Sequence, residues 1–143
     1  MPSTLEVIRD EAVEIIKLAA MNRVAEGGNI SLQAYYYNES RRLYAVAFSQ
    51  NDIESSPDEL LMNMLLTATA NNALGVVLVC DVAAKDEHGD FVGVGILYML
   101  RDGSDINVEV ARRMEDGKLG AFRKSKPDRS NRYSAVVTSD LLN

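Results

Sequence analysis

Apolar residues recur at spacings of mostly three and four from residue 3 to residue 25: Leu5, Ile8, Ala12, Ile15, Ile16, Ala19 and Val24. That period puts them on one side of an amphipathic helix. Ser3 and Glu6 have the form of a capping box, and Gly27-Gly28 suits the left-handed stop. The period then changes to two. Ile30, Leu32, Ala34 and Tyr36 alternate with Ser31, Gln33, Tyr35 and Tyr37, as in a strand with one buried face. The alternation returns from Leu43 to Ser49, and Asn38-Glu39-Ser40 supplies turn chemistry between the two, so a hairpin is expected. The three consecutive tyrosines place rings on both faces of it. Aromatic residues favour strands, which accounts for them without a stacking role.

A second helix starts at Ser56-Pro57-Asp58-Glu59, with serine at the N-cap, proline at N1 and an acid at N3. Leu60, Leu61, Met64, Leu65 and Ala68 form its apolar stripe, and Asn71-Asn72 and Gly75 offer the stop. Met62 and Met64 read as gap-filling core residues. Gly75 to Val82 is nearly continuous apolar sequence, the mark of a strand covered on both faces, and Phe91 to Leu100 is a second such run. Together they make a second hairpin with a somewhat long connection. Residues 105–116 fit a short helix from Asp105 to a stop at Gly117, with Ile106, Val110 and Met114 on one side. They also fit a strand, because Ile106, Val108 and Val110 alternate with Asn107 and Glu109. The helix formers of "ARRMED" make the helix the expectation. A polar, mobile basic loop at 123–131 and a final strand through about Thr138 complete the chain.

The order α-β-β-α-β-β-α-β implies an α+β class. A single mostly antiparallel sheet of about five strands is expected, with two or three helices packed against one face. A length of 143 residues fits one globular domain. A composition 47% hydrophobic and 25% charged can build a core without disulfides or a structural metal. The single cysteine fits a reducing compartment, and the first residues lack the basic n-region of a secretory leader, so a soluble, cytoplasmic protein is expected. No apolar run approaches membrane-spanning length, since "ALGVVLVCDVAA" meets Asp81 after eight residues. Net charge is −6, divided as −10 over residues 1–117 and +4 over 118–143. An acidic body with a basic end can steer a partner or pair with itself.

Candidate chemistry is sparse. The only histidine, His88, stands between Asp86, Glu87 and Asp90 in a turn. Zinc needs three or four converging ligands, and nearly contiguous turn residues do not supply them, so no metal is expected. Gly93 and Gly95 lack the third glycine and the helix of a dinucleotide fingerprint, and glycine inside a strand marks a bulge or close packing. Cys80 sits in the apolar run, where a buried thiol is the ordinary outcome. No catalytic residue and no cofactor is therefore assigned. The remaining cluster is the basic segment 118–133, in which Arg123, Lys124, Lys126, Arg129 and Arg132 stand beside Tyr133. Cations with aromatics are the ingredients of a site for an anionic ligand, a nucleotide or short nucleic acid. Two functions follow as expectations. The first is a non-enzymatic protein-interaction or regulatory domain with a protein partner or a second copy of itself; the alternative is an anion binder using 118–133.

Overall fold

The computed structural model describes residues 4–46, 57–86 and 89–125. The helix α1 runs Thr4–Ala25, followed by β1 at Gln33–Tyr37 and β2 at Leu43–Val46. Next come the helix α2 at Pro57–Ala70 and the strands β3 at Gly75–Asp86, β4 at Gly89–Leu100, β5 at Asn107–Arg112 and β6 at Arg123–Ser125. The strands form one open antiparallel sheet in the order β2-β1-β3-β4-β5-β6. The α+β class is as expected, with six strands and two helices among the described residues. The capping serines Ser3 and Ser56, the turn residue His88 and the strand expected through Thr138 lie outside the described residues.

Both helix stops use the left-handed backbone. Gly27 has φ +86°, its N–H bonding the Val24 carbonyl at 2.9 Å while the Gly28 N–H bonds that of Arg23 at 2.9 Å. Those two bonds satisfy carbonyls that the helix end would otherwise leave open. At α2 the same geometry falls on Asn72, φ 57°, with Ala73 N–H bonding the Ala68 carbonyl at 2.9 Å. Asparagine tolerates this region better than most side-chain-bearing residues.

Helices on one face of the sheet were expected, and the structure corrects this: α1 and α2 lie on opposite faces. Ile8, Ala12, Val13, Ile16, Ala20 and Val24 pack against Tyr37, Val77, Val79, Val94, Ile96 and Tyr98. Leu61, Met64 and Ala68 pack against Ala34, Val76, Leu78, Cys80, Leu97 and Met99. Adjacent strand residues point to opposite faces, so the unbroken apolar runs of β3 and β4 feed both layers. The first hairpin needs the same correction. In β1, Ala34 faces α2 and Tyr37 is fully buried on the α1 side, so both faces of this strand are covered.

Two further expectations change. The segment 105–116 is mainly strand, because Ile106, Val108 and Val110 complete the apolar layer beneath α2. Non-local burial there outweighs the helix propensity of "ARRMED". Gly117, at φ 83°, turns the chain back from β5 toward β6, with its N–H on the Met114 carbonyl at 2.9 Å. The connection between β3 and β4 is shorter than expected, since the ladder continues to the pair Asp86–Gly89.

Candidate interaction surface

On the α1 side the space between helix and sheet holds charged groups that are already paired. Arg9 ion-pairs with Asp105 and with Asp10, the latter at 3.0 Å. Lys17 lies 2.7 Å from Glu109 Oε1, and the Tyr98 hydroxyl donates to Glu109 Oε2 at 2.5 Å. Cations at 9 and 17, about 12 Å apart along the helix, thus meet carboxylates at 105, just before β5, and at 109 within it. Glu109 is only 6% exposed, yet both its oxygens have partners, which is what a buried carboxylate requires. The cations also cover aromatic rings, Arg9 over Tyr98 at 5.9 Å and Lys17 over Phe122 at 5.5 Å.

The tyrosines respond to this environment. Burial pushes the Tyr37 hydroxyl up to about 12, and the Arg9 charge opposes the shift. Burial also raises Tyr98, helped by its hydrogen bond to Glu109. For Arg9, burial works against the charged form, but the hydrogen bonds to Asp10 and Asp105 outweigh it and raise the guanidinium above its ordinary value. The Tyr37 hydroxyl itself has no hydrogen-bond partner among the described residues. This cluster joins α1 to the sheet, with its charges matched internally.

The α2 side has a different character. Leu61, Met64 and Ala68 face inward, while Met62 and Leu66, one turn apart, face outward at 57% and 62% exposure. Met62 thus departs from the core role expected of it, and Met64 keeps that role. No charged residue occurs between Glu59 and Asp81, and the exposed side chains described from Leu61 to Ala70 are Met62, Leu66 and the polar or small residues Asn63, Thr67, Thr69 and Ala70. An exposed helix ordinarily carries charge on its outer side. On α1, Ile15 and Leu18 are also exposed, at 54% and 58%, and Ile15 departs from its expected place in the core stripe. They stand among exposed Glu11 and Glu14. Beyond Glu59 the α2 face is distinguished by apolar exposure without charge.

Strand alternation divides the basic segment. Arg123 pairs with Val110 and so points to the α2 side, whereas Lys124 pairs with Glu109 and points to the α1 side. There the Lys124 Nζ lies 3.4 Å from Asn107 Oδ1. Both side chains and Lys118 are exposed; Lys126, Arg129, Arg132 and Tyr133 lie outside the described residues. Phe122 packs against the α1 core. Cys80 is buried beneath α2. A methyl group at Gly93 would collide with the Ala111 carbonyl, so close strand packing explains that glycine. Of the acids around His88, Asp90 is exposed. No group of three potential metal ligands occurs among the described residues.

The α2 face was missed because inward and outward positions of an apolar helix read alike one residue at a time. The signal that could have found it is the 21-residue uncharged interval from Leu60 to Cys80. The architecture defines a class: an α+β protein whose antiparallel sheet is covered, among the described residues, by one helix on each face. Comparison of the chain with protein-family models, curated proteins and solved structures finds no match. No helix among the described residues is long and apolar enough to cross a membrane.

Proposed function

We propose that this chain is a small non-enzymatic interaction domain that engages a protein through the outward face of α2. The observation that carries the reading is the exposure of Met62 and Leu66 on the stretch of α2 that follows Glu59 and carries no charge. Water contact with these side chains is unfavourable by roughly 25 cal/mol per Å² of apolar surface, and a partner that covers them recovers that free energy. Charged side chains would have to be desolvated in the same contact, and α2 carries none after Glu59 in its first turn. A regulatory role and a cytoplasmic setting, the latter in keeping with one buried thiol, belong to the same proposal.

The test is affinity capture with the full chain as bait, compared with Met62→Ser/Leu66→Ser and Ile15→Ser/Leu18→Ser. The α2 variant is expected to lose at least tenfold of the captured partner, and the α1 variant to retain it. Equal capture by all three baits sinks the reading. The competing anion reading draws on the exposed Lys118, Arg123 and Lys124. It predicts salt-sensitive oligonucleotide binding that weakens in Arg123→Ala/Lys124→Ala. Absence of binding at low salt removes it.

A further inference from the structure

We draw no further inference here: the strongest candidate, the outer edge of the sheet at the uncharged strand β2 beside the exposed Arg42, carries nothing because nothing in the structure shows what covers it.

Discussion

The two faces of the sheet are covered by helices held in different ways. Beneath α1, apolar contacts are supplemented by directional links, Arg9 to Asp105 and Lys17 to Glu109, with Tyr98 completing the second. Beneath α2, Leu61, Met64 and Ala68 pack on an apolar layer formed by β1, β3, β4 and β5. The difference concerns surplus. The α1 side uses its buried charges internally, and its outer side is acidic. The α2 side has apolar residues in excess of what its core needs, and places two of them in water.

The largest expected effects separate packing from pairing. Leu61→Ala, in the layer beneath α2, should destabilise the fold by about 3 kcal/mol through lost burial and a cavity. Urea denaturation should show the lower midpoint, and the loss should be the same at all pH values between 6 and 11. A loss below about 1 kcal/mol would mean that α2 is not an integral layer. Lys17→Met keeps much of the side-chain volume but leaves Glu109 without its cation. It should cost about 2 kcal/mol, because an unpaired buried carboxylate loses more than the pair contributes. An unchanged midpoint for Lys17→Met would remove the contrast between the two sides.

The smallest effects concern the tyrosines. Their hydroxyls are held neutral in the folded state, Tyr37 up to about 12 and Tyr98 also raised, against an ordinary value of 10.0. The contribution is therefore fully present below pH 10 and is lost as pH rises from 10 through about 12. Tyr37→Phe should flatten that alkaline decline. At neutral pH it should be neutral or stabilising by up to about 1 kcal/mol, since it removes a buried hydroxyl without a partner. Tyr98→Phe should also flatten the decline, yet cost about 1 kcal/mol at neutral pH by withdrawing a hydrogen bond from Glu109. Urea midpoints at pH 7 and 11 distinguish the two. A steep alkaline decline that survives both substitutions would show that these hydroxyls do not report on the α1 side.

Much of the fold is legible in local pattern. The three-four spacing of α1, the Asn38 turn and the apolar runs of β3 and β4 specify their elements, because period and turn chemistry act over a few residues. The segment 105–116 is not legible in this way. Its first half alternates and its second half favours helix, and the decision comes from the apolar layer that Val108 and Val110 join in space. Neither were the surfaces. The basic run 123–124 reads as one patch in sequence, and strand alternation places its two cations on opposite faces.

What the sequence by itself determined is therefore local and compositional: the two helices, two hairpins, an acidic chain of one-domain size and a single cysteine bound for the interior. Tertiary structure alone decided which face each helix covers, that Glu109 would be buried between Lys17 and Tyr98, and that Met62 would face water while Met64 does not. The physical reason is that period and capping act within a few residues, whereas burial depends on which distant segments meet. Lys17 and Glu109 are 92 residues apart in the chain, and no local pattern on either side of that interval encodes their contact.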